Sequence, residues 1–343
     1  MAKVTLSPHG LKAAVPGPGN PNPPKRGLIT GWSVAAARRN RTWLQSVDLA
    51  AVDGVGFFYT LTVRDLPASA EEWSRLVDAW LKWIVRHGAT RYHWVIEFQR
   101  RGVPHLHVVA YWPVEHVRND APGFVDPWDA TGHWLKLTAH LGSLSGSQQV
   151  RQCDRRVELL AYMAKHSART ADHYQRQAHA LPKGWQSVGR LWGKGGNWPT
   201  RSQVFETNEV GWFVLRRLVR GWRKAEAASR LARVPASDHA GQVAARRALI
   251  HARSCLRCAG KTHSRVKPLG LWIPEEASRQ ILGAVILGDR RAWMKWVPQV
   301  EEGSRGLAKR PLDASGTTHP PGFPSLMHIG EGMPPGEGSF FFA

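Results

Sequence analysis

Over residues 94–99 apolar and polar positions alternate. Trp94, Ile96 and Phe98 fall on one side, and Val95, Glu97 and Gln99 on the other. A period of two predicts a strand with one buried face. Arg100-Arg101-Gly102-Val103-Pro104 supplies turn chemistry, and residues 105–112 predict a second strand. In that strand Leu106 and Val108 face the core, while His105 and His107 project together from the opposite side. With the hairpin centred on Gly102, Glu97 lies opposite His107 and Gln99 opposite His105, so two imidazoles and a carboxylate converge. The pattern points to a divalent-metal site; the alternative is a merely structural pair of histidines on an exposed strand face.

The flanking patterns extend this core. Residues 55–63 form an apolar run rich in aromatic and β-branched side chains, which predicts a buried strand. Helical spacing at Trp73, Leu76, Val77, Trp80, Leu81 and Ile84 predicts a helix over 70–87, ended by Gly88. A helix over 132–141, a strand over 147–153 and a long helix capped by Asp154 and running to Gln177 follow. The order β-α-β-β-α-β-α predicts an α+β fold: an antiparallel central sheet with helices packed on one face, in the ferredoxin-like manner. Residues 1–30, rich in Pro and Gly, read as a flexible arm, and 31–200 as the main domain, bounded by the glycine-rich stretch 189–197. Residues 201–310 read as a smaller basic helical region, and 311–343 as a disordered Pro/Gly-rich tail.

Charge changes the picture most. Lys and Arg number 47 against 26 Asp and Glu among 343 residues, a formal charge of +21 that calls for a polyanionic partner. The 17 Trp can pack a core or stack on unpaired bases. Arg100, Arg101, Arg169 and Arg190 in the main domain, and Arg216, Arg217 and Arg220 beyond it, are the candidate DNA contacts. Three Cys cannot build a disulfide framework, and no apolar run is long enough to span a bilayer. A cytoplasmic protein with no membrane partner is expected. His251, Cys255, Cys258 and His263 have workable zinc-ligand spacing but lack a second paired motif, so free thiols are the simpler reading.

On the long helix, Val157, Leu160, Ala161, Ala164 and Ala168 define a buried face. At about 100° per residue, Glu158, Tyr162, Lys165 and Arg169 share a sector roughly 60° wide, some 110° away. A hydroxyl there, one turn from a Lys and two from an Arg, is placed to meet a phosphate. The alternative is a surface Tyr beside a Lys.

Thr60-Leu61-Thr62, His105-Leu106-His107 and Tyr162-Met163-Ala164-Lys165, in that order on strand, strand and helix, resemble the motifs of the HUH endonuclease superfamily. The closest likeness is to rolling-circle replication initiators of bacterial plasmids and single-stranded DNA phages, over residues 31–198. The resemblance implies that Tyr162 attacks a DNA phosphodiester, leaving a 5′-phosphotyrosine and a free 3′-OH, and that the ends are later rejoined. It further implies that Lys165 assists and that His105 and His107 ligate the metal. Glu97 suits Mg²⁺ or Mn²⁺ as third ligand, ahead of Gln99 and then His93. Origin DNA, single-stranded and duplex, with a host helicase and DNA polymerase, are the implied partners, since no fused helicase motif is present. His166 stands four residues beyond Tyr162, unlike the two-tyrosine initiators. A relaxase, a single-tyrosine transposase and a non-enzymatic basic repressor remain the alternatives.

Overall fold

The computed structural model describes residues 1–17, 21–22, 27–117, 126–153, 159, 162, 181–182, 184–254 and 269–286. The chain divides into two compact units, residues 20–201 and residues 1–19 with 202–343. In chain order the strands and α-helices are β1 (Ala2–Ser7), β2 (Gly10–Ala14), α1 (Val34–Ser46), β3 (Val55–Thr62), α2 (Ala70–Arg86), β4 (Arg91–Phe98), β5 (Pro104–Trp112), the single turn α3 (Val114–Val117), α4 (Ala130–Leu137), β6 (Gln149–Cys153) and β7 (Trp192–Gly196). β8 (Gln203–Thr207), α5 (Glu209–Arg233), α6 (His239–Ser254), β9 (Leu269–Trp272) and α7 (Glu275–Ile286) follow.

The 20–201 unit is an antiparallel sheet in the order β6-β3-β5-β4-β7. Its first four strands have the ferredoxin-like split βαβ arrangement, and the expected α+β class is the observed one. α2 starts where the Ser69 hydroxyl accepts from the Glu72 amide at 3.2 Å. Its buried Trp73, Val77, Trp80, Leu81 and Ile84 join Phe57, Tyr59, Leu61, Leu106 and Val108 in one apolar cluster. Trp80 meets Tyr59 edge-on at 5.3 Å and donates from Nε1 to the Ala130 carbonyl at 2.8 Å, which ties α4 to the same layer. On the opposite sheet face α1 presents Trp43, whose ring stacks on His93 at 5.0 Å. The helix expected over 132–141 ends at Leu137; Ala139–Leu141 is a 3-10 turn.

The β4–β5 register departs from expectation by two residues. Glu97 pairs with His105, and Val95 with His107. The cause is the turn: the Gly102 amide donates to the Gln99 carbonyl at 2.8 Å, and the Gln99 amide to the Val103 carbonyl at 2.9 Å. Gly102, at φ 82°, closes a three-residue loop centred on Arg101. A shift by an even number keeps every side chain on its face, so Glu97, His105 and His107 remain together.

Two other expectations give way. Residues 2–14, read as part of a flexible arm, form the β1–β2 hairpin at the centre of a second antiparallel sheet, β8-β1-β2-β9. Val4, Leu6, Leu11 and Ala13 are buried there with Trp212, Leu215, Leu218 and Val219 of α5 and Ile281 and Leu282 of α7. The region after residue 200 therefore holds strands as well as helices. The glycine-rich stretch 189–197, read as a boundary, contains β7, which pairs with β4. A Cβ at Gly193 would stand 2.7 Å from the Trp94 ring, and one at Gly195 would collide with Tyr92, so glycine is what lets this strand approach β4.

Among the described residues no helix is long and apolar enough to cross a membrane. The helix expected over 154–177 lies outside the described residues except at Leu159 and Tyr162, both helical. Residues 311–343, and Cys255, Cys258 and His263, also lie outside them.

Leu11 is fully buried in β2. Leu11→Ala should cost about 2–5 kcal/mol of stability in the unit that contains it, read by urea unfolding. A flexible arm would show no change.

Candidate active site

Strand alternation builds one polar face on the central sheet. Thr60 pairs with His107 and Thr62 with His105 across β3–β5, and Glu97 faces His105 across β4–β5. One ligand atom from each of Glu97, His105 and His107 lies within 4.8 Å of the others, the one such cluster among the described residues. The two Nε2 atoms are 3.2 Å apart, and Glu97 Oε2 is 3.5 Å from His107 Nε2. Two ligands at about 2.1 Å from one ion are separated by about 3.0 Å at a right angle and about 3.4 Å at a tetrahedral one. The observed spacing is that of donors aimed at a shared cation.

The burial of these groups points the same way. Glu97 is fully buried and His107 nearly so. A carboxylate taken out of water needs compensating positive charge, and a divalent ion between two neutral imidazoles supplies it. Thr60 Oγ1 stands 3.2 Å from His107 Nδ1. When Nδ1 carries the proton and donates to Thr60, Nε2 keeps the lone pair that a metal needs. The donor set fits a hard or borderline divalent ion.

The other ligand candidates are engaged elsewhere. Gln99 Nε2 donates to Thr62 Oγ1 at 2.8 Å, while its Oε1 accepts from Arg101 Nε at 2.8 Å. His93 is buried against Trp43, with Nε2 2.9 Å from Asn40 Oδ1. Neither belongs to the cluster.

Tyr162 reaches the same face. Its ring lies 5.0 Å from Phe58 and 6.2 Å, edge-on, from His93, and its hydroxyl is 3.5 Å from the His107 carbonyl oxygen. Burial pushes the phenol pKa well above its ordinary value. The three sequence stations thus meet on one surface. Lys165 and Arg169 lie outside the described residues.

The remaining arginines divide. Arg100, Arg190 and Arg217 are exposed. Arg101 also donates to the Val63 carbonyl at 3.1 Å, bracing the hairpin against the end of β3. Arg220 is half-buried, and its Nε caps the Arg253 carbonyl of α6 at 3.1 Å. Arg216 is 4% exposed, with its guanidinium 5.2 Å from the Trp212 ring centre, so it is packed in the second unit instead of facing solvent. Sequence reasoning missed Arg151, which pairs with Phe58 across β3–β6 and lies 5.3 Å over that ring, on the side where Tyr162 packs. Period-two alternation carried from β3 into β6 was the signal for it.

The family profile of the ORF2 class of replication-associated proteins matches residues 56–170, which span the sheet face just described. The chain is 36% identical over 286 residues to a proposed replication protein of Xylella fastidiosa strain 9a5c, covering 80% of this chain and 93% of the relative. It is 34% identical over 260 residues to a replication-associated protein of Pseudomonas phage Pf3, covering 75% and 86%. No solved structure matches. With the similarity running over most of both chains, the protein belongs to the ORF2 family of replication-associated proteins.

Proposed function

We propose that this protein is a rolling-circle replication initiator of the HUH type, which nicks one DNA strand at an origin by tyrosine attack. The observation that carries this reading is the Tyr162 hydroxyl lying over the sheet face that holds Glu97, His105 and His107. In the proposed step the Tyr162 oxygen forms a bond to phosphorus while the bond from phosphorus to O3′ breaks. The phenolic proton is lost and the departing O3′ takes one up. The products are a 5′-phosphotyrosine and a free 3′-OH for a polymerase to extend; transfer back to a 3′-OH rejoins the ends.

Each side chain has a part in that reading. Glu97, His105 and His107 would hold Mg²⁺ or Mn²⁺, which when bound supplies positive charge against a phosphate oxygen. Thr60 fixes the His107 ring, and Phe58 and His93 hold the Tyr162 ring at the sheet. Because burial disfavours the phenolate, the hydroxyl stays protonated in the resting protein and loses its proton only with cationic help. Lys165 is the proposed helper, and Arg151 is a second cation on that side. Exposed Arg100, Arg190 and Arg217 would contact phosphates, on single-stranded or duplex origin DNA. Unwinding would fall to a separate host helicase.

Tyr162→Phe should keep DNA binding and lose both cleavage and the covalent adduct, since only the attacking oxygen is removed. Nicking of a single-stranded origin oligonucleotide at the wild-type rate would exclude Tyr162 as the nucleophile.

EDTA, His105→Ala or His107→Ala should abolish cleavage and spare most DNA binding. Loss of a group that only orients a ligand costs about 10–100-fold in metal affinity, and loss of a ligand at least as much. A Mn²⁺ titration should therefore rank Glu97→Ala as more damaging than Gln99→Ala. The reverse ranking would remove Glu97 from the ligand set.

A further inference from the structure

α6 is fastened to α5 along one side and bare along the other. Gln242 Nε2 donates to the Val234 carbonyl at 2.7 Å near its start, and Arg220 Nε to the Arg253 carbonyl at 3.1 Å near its end. Ala245 and Ala252, 4% and 2% exposed, mark the packed side. At about 100° per residue the opposite side carries Val243, Arg246, Arg247 and Ile250 within an arc of roughly 100°. All four are exposed, Val243 at 48% and Ile250 at 64%.

Two β-branched apolar side chains beside two guanidinium groups make an unusual stripe for a helix that only needs to be soluble. α6 contains no Asp or Glu, so nothing along the helix balances Arg246, Arg247 and Arg253. That charge selects a polyanion, and the apolar pair asks for something more than phosphate. Duplex DNA offers both together. Its major groove, about 12 Å wide, admits an α-helix, guanine presents two acceptors to one Arg fork, and the thymine methyl takes an apolar contact.

We propose that α6 reads duplex DNA in the major groove, with Arg246 and Arg247 directed to guanines and Val243 and Ile250 to thymine methyls. The proposal rests on the reading of the protein as an initiator acting at a defined origin. It assigns the choice of sequence to the unit that lacks Tyr162.

The experiment is selection by the full chain from a pool of duplexes with a randomised centre, alongside a single-stranded pool. Wild type should enrich a duplex motif containing guanines and thymines. R246K/R247K keeps the charge and loses the fork, so preference for guanine should fall about 5- to 150-fold at each affected position. Affinity for random duplex and its salt dependence should hardly move. Val243→Ser with Ile250→Ser should relax the thymine positions. All four side chains are exposed, so these variants should melt as the parent does. Recovery of the parental motif by both variants would overturn the proposal, as would enrichment by wild type from the single-stranded pool alone. Tyr162→Phe, carried through the same selection, separates the two readings. A variant that still nicks would sink the tyrosine mechanism, while loss of the motif in R246K/R247K would leave the role of α6 standing.

Discussion

The parity of the central sheet is the constraint on which the site depends. In β3, β4 and β5 every second residue enters an apolar layer with α2 and α4, and every other one belongs to the polar face. A slip of one residue would drive His105 and His107 into the layer of Trp73, Trp80 and Trp134 and expose Leu106 and Val108. Burial of that layer therefore orients the polar donors without any interaction among the donors themselves. The αL glycine at position 102 then fixes which even-numbered register is adopted.

This explains what could be read from the sequence. Periodicity reports faces, and faces were enough to group Glu97, His105, His107 and Thr60. The register across the hairpin depends on how many residues the turn consumes. That count came from hydrogen bonds between Gln99, Gly102 and Val103, which composition does not encode. Gln99 and His93 share a face with Glu97, so periodicity could not separate the three. Their partners, Thr62 with Arg101 and Asn40 with Trp43, did.

The misread stretches have a common cause: local composition does not report partners that are distant in sequence. Gly193 and Gly195 read as a linker because glycine is common in linkers, yet here they yield space to Trp94 and Tyr92 on the neighbouring strand. Residues 2–14 sit beside a Pro/Gly-rich segment and have too little to bury by themselves. Their partners lie some 200 residues away in sequence, in β8, α5 and α7. Tryptophan was ambiguous between core and base stacking. Trp73, Trp80, Trp112, Trp134 and Trp212 are almost wholly buried, so much of that aromatic content serves packing. Arg216 shows the same for charge: a cation counted toward DNA lies against Trp212.

Because β1 and β2 are the central strands of their sheet and β8 and β9 its edges, the 20–201 unit is in effect an insertion between two halves of another domain. During synthesis the hairpin emerges first and must wait for some 190 residues before β8 can pair with it. In that interval the five-stranded sheet, whose strands are closer in sequence, can fold by itself. Until β8 arrives, β1 presents an unpaired edge, the kind of template that promotes aggregation. A ribosome that stops early would thus release a chain with the proposed cutting face assembled and the proposed duplex reader missing. Such a product would also carry an open strand edge that marks it for removal, so the order of assembly itself guards against cutting without sequence choice.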